Sequence, residues 1–235
     1  MLEIRKSEDR GRTKLGWLTS YHSFSFNRYY DPANVHFGPL RVLNDDIVMP
    51  GTGFGAHPHD NMEVVTYVLD GALRHQDSTG TDGVIRAGEV QRMTAGTGIE
   101  HSEYNESNAE PVHFLQVWFL PNRQGLTPSY QQKAFAKEQR KNALLPVASG
   151  QKDQGSLFVN QDVTMYVSSL DASRELAHEI GGRRGAYLYL VDGKISVGDA
   201  QLAKGDAVKV TQEKHIQIQA SADSEVVLFD VPLNE

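Results

Sequence analysis

The chain has 235 residues, a length that fits one large domain or two small ones. It contains no cysteine, which excludes disulfides, thiolate metal sites and cysteine nucleophiles. Its 30 acidic residues outnumber 23 lysines and arginines, for a formal net charge of −7 without a long basic run, and this argues against nucleic-acid partners.

The opening MLEIRKSEDRGRTKLG has no apolar core of signal-peptide length. No later stretch approaches the roughly 20 apolar residues of a membrane span, so a cytoplasmic protein is expected. Strands are predicted at 40–48, 63–71 and 112–120, then at 186–193, 194–198, 206–210, 215–220 and 225–231. All are short, rich in Val, Leu, Ile, Tyr and Phe, and have Gly, Asp, Asn or Pro near their ends. HIQIQA (215–220) alternates strictly and therefore has one face in and one face out. One helix is predicted, PSYQQKAFAKEQRKNAL at 128–144, with Pro128 placed to start it. Its position suits a connector between two β units.

A weak internal repeat supports two such units. VTYVLDG (65–71) resembles YLYLVDG (187–193), and each is followed by a further strand-like segment and a Gly-acid turn, RAGEVQRM (86–93) and AKGDAVKV (203–210). A repeated strand–turn–strand–turn unit indicates two copies of one β domain, with a boundary near 130–150. The first copy follows His57 and His59, whereas the second follows HEIGGRRGA with only His178 nearby.

The stretch GAHPHDNMEVVTY (55–67) carries the chemistry of the first copy. On a strand alternate side chains share a face, so His57 and His59 project together while Pro58 points away. Pro58 has no N–H, which places the segment at a sheet edge or strand end. GTGIEHSEYN (96–105) offers a second pair, His101 and Glu103, again two apart. Side by side, the pairs would set three imidazoles and one carboxylate around a point, a donor set for a divalent first-row metal. Iron(II), manganese, nickel, cobalt, copper and zinc all fit that set, and two positions of an octahedral ion would stay open. Glu63 is a competing carboxylate on these residues alone. The isolated histidines, His22, His36, His75, His113, His178 and His215, read as ordinary surface or hydrogen-bonded side chains.

At these residues the chain resembles the cupin superfamily. The first cupin motif is met by Gly51, His57, His59, Glu63 and Gly71, with seven residues instead of six before the last glycine. The end of the second is met by Gly98, His101 and Asn105. HSFSFNRYYDP, HPH, TYVLDG, HQDSTG and MTAGTGIEHSEYN resemble the pirin family within it, nearest to its bacterial quercetinase-like members. The resemblance is specific from about residue 15 to 125 and weakens through the second half.

The resemblance implies an all-β bicupin of two antiparallel β-sandwich (jelly-roll) barrels with a short connecting helix. Residues 1–135 would carry the metal, and 136–235 would form a barrel without the H-x-H motif. It implies His57, His59, His101 and Glu103 as ligands, leaving Glu63 behind them or as the alternative ligand. It also implies one divalent transition metal, iron(II) first, and a dioxygenase that cleaves a flavonol such as quercetin with O2 to a depside and carbon monoxide. Glu103 would be the catalytic base, and Met93, Phe114 and Trp118 candidates for the pocket wall. The alternative within the family is an iron-binding regulator acting through protein contacts, for which YHSFSFNRYY (21–30) would be the surface, although that segment reads first as a packed piece closing the barrel. A sugar-phosphate isomerase would need several Lys or Arg at the motifs, and only Arg74, Arg86 and Arg92 lie near them. A monomer is expected, because the two barrels already pair.

Overall fold

The computed structural model describes residues 1–151 and 155–233. Its first half holds β1 (Leu2–Arg5), β2 (Gly11–Lys14), β3 (Leu18–His22), β4 (Leu40–Val48), β5 (Gly53–His59), β6 (Glu63–Asp70), β7 (Ala72–Asp77), β8 (Asp82–Arg86), β9 (Glu89–Thr94), β10 (Ile99–Asn105), β11 (Val112–Phe119) and β12 (Ser129–Ala134). Its second half holds β13 (Leu145–Ser149), β14 (Leu157–Phe158), β15 (Thr164–Leu170), β16 (Glu175–Glu179), β17 (Arg184–Asp192), β18 (Lys194–Val197), β19 (Ala200–Ala203), β20 (Ala207–Val210), β21 (His215–Ala220) and β22 (Ser224–Pro232).

The strands form four sheets on a repeated seven-plus-four plan. In the first half the order is β12-β9-β6-β11-β4-β3-β2 facing β5-β10-β7-β8. In the second it is β1-β20-β17-β22-β15-β13-β14 facing β16-β21-β18-β19. This is the expected pair of β-sandwich barrels. The N-terminal strand does not join its own half: β1 pairs with β20, Leu2 opposite Val210 through Arg5 opposite Ala207.

Strand alternation divides the apolar residues of each sheet between its two faces. Leu43, Val65, Tyr67, Leu115, Val117 and Phe119 meet Val147, Tyr187, Tyr189 and Phe229 of the second half. The seven-stranded sheets therefore pack face to face, and each apolar side chain buried between them contributes roughly 1.5–3 kcal/mol. The other face of the first sheet, with Val48, Val68 and Phe114, packs on Leu73 and Ile85 of the four-stranded sheet. That second layer is the interior of the first barrel.

The predicted helix at 128–144 is not formed. Ser129–Ala134 is strand β12, and only a 3-10 turn, Lys137–Arg140, remains of it. Local helix preference differs by less than about 1 kcal/mol per residue among the residues present. Pairing outweighs it: Ser129 to Ala134 lie opposite Thr94 to Glu89 of β9. The side chains alternate as well, with Tyr130 stacked on His75 and Gln132 bonded to the Val84 carbonyl and Glu89. Among the described residues no helix is long and apolar enough to cross a membrane.

Candidate metal centre

Strand β5 is the edge of the four-stranded sheet, the position that Pro58 requires. It pairs with β10 through a bulge. His101 lies opposite His57 and Glu103 opposite Phe54, so β5 carries two residues where β10 carries one. The extra residue restores the inward direction, and Phe54, His57 and His59 all line one cavity. Gly53 allows the strands this close, because a Cβ there would lie 2.3 Å from the Glu103 carbonyl oxygen.

Three imidazoles converge at this point. The ring centroids of His57, His59 and His101 lie 4.5 to 4.9 Å apart. Their nitrogens form one group that could hold a metal ion, and a second group, His75, His101 and Glu103, shares His101. His57 donates from Nδ1 to the Gly55 carbonyl at 2.8 Å, which leaves Nε2 as its lone-pair nitrogen. His101 is 2% exposed, and its Nε2 is buried without a protein partner. Such an atom fits a metal ligand better than a packed side chain.

Burial sets the charge state of these rings. It pushes His59 down to about 4 and His101 down to about 3, and the neighbouring imidazoles add to both shifts. Both are neutral at pH 7, the form that binds a metal. Glu103 is also buried, and desolvation pushes its carboxyl upward, against the pull of His75, His57, His59 and Gln91. Gln116 Nε2 donates to Glu103 Oε2 at 2.7 Å and Gln91 Nε2 to Oε1 at 2.9 Å. Thr66 joins the two amides, donating to Gln116 Oε1 at 2.7 Å and accepting from Gln91 at 2.9 Å.

His75, read from sequence as an ordinary histidine, is wholly buried behind the cluster. Its Nε2 lies 2.9 Å from Asp77 Oδ2, and Tyr130 stacks on its ring at 4.8 Å. Three bonds from Thr79 and Thr81 hold Asp77 at Oδ1. With the bond to His75, they pull its pKa down to about 2 against its own desolvation. His22 also belongs to the site, lining the cavity and bonding Asn44 Oδ1 from Nδ1 at 2.8 Å. The sequence signals for His75 were its place at the head of HQDSTG and its two-residue spacing from Asp77.

Glu63 faces away from the cluster. The turn between β5 and β6, where Asn61 has φ 46°, carries the chain from one sheet to the other and resets the alternation. Glu63 then points into the contact between barrels, where it accepts from Thr94 Oγ1 and from the Asn160 backbone and side-chain amides. Met93 and Phe114 pack in apolar clusters of the core, while Trp118 lines the cavity and meets His59 edge-on at 4.8 Å.

The cavity in front of the imidazoles has a volume of about 330 Å³. Its apolar walls include Leu15, Trp17, Leu18, Phe26, Phe54 and Trp118, and its polar positions include Ser20, Asn44, Asp46, Glu103 and Gln116. The segment 21–30 helps to build it: His22 and Phe26 line it, and Phe24 is buried between the barrels.

The Pirin family model matches residues 3–119, and that of the quercetinase C-terminal cupin domain matches 146–231. Quercetin 2,3-dioxygenase of Escherichia coli strain K12 is 43% identical over 232 residues, covering 99% of both chains. The chain belongs to the pirin family. Another relative, a putative quercetin 2,3-dioxygenase of Mycobacterium tuberculosis H37Rv, is 43% identical over 98% of this pirin and 95% of its own length. Among solved structures, YhhW from E. coli superposes with a TM-score of 0.96 at 42% identity, covering 100% of this chain and 99% of its own. The bacterial pirin YhhW in complex with nickel(II) superposes at 0.95 with 42% identity, over all of both chains. In this pirin two overlapping groups, His57, His59 and His101, and His75, His101 and Glu103, set their ligand atoms close enough together to hold a metal ion.

Proposed function

We propose that this pirin is a metal-dependent dioxygenase that cleaves a flavonol such as quercetin with O2 to a depside and carbon monoxide. The observation that carries the reading is the convergence of His57, His59 and His101 beside an apolar cavity that His57, His59 and Glu103 line. The relatives named as quercetin 2,3-dioxygenases support it over the full chain.

We assign His57, His59, His101 and Glu103 as the ligands. His75 is set behind them because Asp77 holds its Nε2, which turns its Nδ1 toward His101. Iron(II) is our first assignment, and nickel, manganese, cobalt, copper and zinc suit the same donors. The metal, when bound, makes a neighbouring hydroxyl more acidic. Glu103 takes the proton of the flavonol 3-hydroxyl, since burial raises its proton affinity above that of an ordinary carboxylate. Gln91 and Gln116 fix the carboxylate, and Trp118, Phe26 and Phe54 flank the planar substrate and exclude water. No Lys or Arg lines the cavity among the described residues, which favours an uncharged aromatic substrate over a sugar phosphate. We also propose a monomer, supported by the mutual covering of the two seven-stranded sheets.

The deciding experiment loads the protein anaerobically with iron, manganese, nickel, cobalt or copper, then adds quercetin and O2. Loss of the flavonol absorbance with release of carbon monoxide is expected. Neither signal with any metal would sink the activity. Metal analysis of the purified protein tests the iron assignment.

A further inference from the structure

Two buried polar atoms on residues of the cavity wall have no protein partner: Asp46 Oδ1 and Trp118 Nε1. A buried donor or acceptor left unpaired costs roughly 1–3 kcal/mol, so native proteins rarely leave one without a use. Asp46 is 3% exposed, on β4, flanked across the sheet by Ser20 and Phe114. The polar side chains nearest to it along this face are already committed. Asn44 holds His22, and Gln116 holds Thr66 and Glu103. Asp46 is therefore the carboxyl on this wall with capacity to spare.

We propose that Asp46 and Trp118 form a recognition subsite for a hydroxylated aromatic ring. Asp46 Oδ1 accepts a hydrogen bond from a ring hydroxyl, and Trp118 Nε1–H donates to a second oxygen of the same ligand. The assignment rests on the flavonol reading above and adds which flavonols the cavity prefers: those with hydroxyls on the rings as well as beside the metal. Asp46 lacks a cationic neighbour that would recruit an anion instead, since no Lys or Arg lines the cavity among the described residues. Burial pushes its pKa up to about 8, with Asp45 and Glu103 adding to the rise and a Ser20 hydrogen bond opposing it. At neutral pH the cavity thus gains an uncharged acid, which hydrogen-bonds phenols without a desolvated charge.

The test compares quercetin with 3-hydroxyflavone, which keeps the reacting ring but lacks the other hydroxyls. Binding is followed anaerobically on the nickel-loaded protein by quenching of tryptophan fluorescence. The parent should hold quercetin on the order of tenfold more tightly, the worth of one hydrogen bond in a dry site. Asp46→Leu should collapse the ratio of the two dissociation constants toward one. Asp46→Asn, which keeps an acceptor oxygen, should retain the preference, and Trp118→Phe should weaken it. Equal binding of the two flavonols by the parent, or an unchanged ratio in a folded Asp46→Leu, overturns the subsite. Should Asp46→Leu fail to fold, the parent ratio and Trp118→Phe decide, and loss of the ratio in Asp46→Asn counts against the acceptor role. Carbon monoxide release is assayed separately. A binding preference without turnover keeps the subsite and removes the dioxygenase reading, and turnover without preference does the reverse.

Discussion

The Nδ1 atoms of His75 and His101 face each other at 3.4 Å, between paired strands β7 and β10. Asp77 accepts the Nε2 proton of His75, so the bare Nδ1 of His75 can accept from His101. That direction leaves the lone pair of His101 on Nε2, the buried atom without a protein partner. Breaking this line should weaken metal binding without unfolding the barrel. His75→Ala or Asp77→Asn is expected to lower nickel affinity roughly 10- to 100-fold, the usual cost of losing an outer partner of a ligand. Titration calorimetry of the metal-free protein measures it, and affinity equal to the parent would refute the assignment.

The amide clamp on Glu103 gives a second expectation. Gln116→Leu strips Glu103 Oε2 and the Thr66 hydroxyl of their partner in a dry interior. Unfolding free energy of the metal-free protein should fall by about 1–3 kcal/mol. Urea denaturation reads this directly. Added nickel should recover part of the loss, because a ligand of the folded state stabilises it by mass action.

Glu63 separates stability from metal binding. Glu63→Ala leaves Asn160 and Thr94 without their acceptor between the barrels. A loss of about 1–3 kcal/mol in stability is expected, with nickel affinity unchanged. A weakened nickel isotherm in a folded variant would return Glu63 to the ligand set.

Asp46 predicts the pH dependence of the metal-free protein. Its folded pKa, about 8, lies above the ordinary 3.8, so the folded state holds the proton more tightly. The contribution is fully present below about 4 and is lost as pH rises through about 8. Asp46→Asn cannot ionise. Its unfolding free energy should therefore gain on that of the parent as pH rises from 4 to 9, by an amount on the order of a few kcal/mol, read by urea denaturation at each pH. A difference that stays flat over that range would show that Asp46 is already ionised at low pH.

Sequence periodicity carried the chemistry further than it carried the connections. Alternation alone paired His57 with His59 and His101 with Glu103, and the repeat of VTYVLDG in YLYLVDG anticipated the matched seven-plus-four sheets. His75 was not legible as part of the site because its place depends on β7 lying beside β10, a pairing no local pattern announces. The segment after Pro128 failed for the same reason. Its helix-forming residues are held extended by β9, and the strand so made delivers Tyr130 to the back of His75. Glu63 was ambiguous because parity survives along a strand but not through the turn at Asn61.

The first strand binds the chain's history to its shape. Residues 2–5 are synthesised roughly 200 residues before their partners at 207–210. Until then the opening segment lacks the β20 edge that it joins, and once β20 forms its outer flank stays open until β1 docks. So distant a pairing is entropically slow to close. The protein should therefore mature in two stages, with each barrel taking shape early and the N-terminus latching onto the far barrel last.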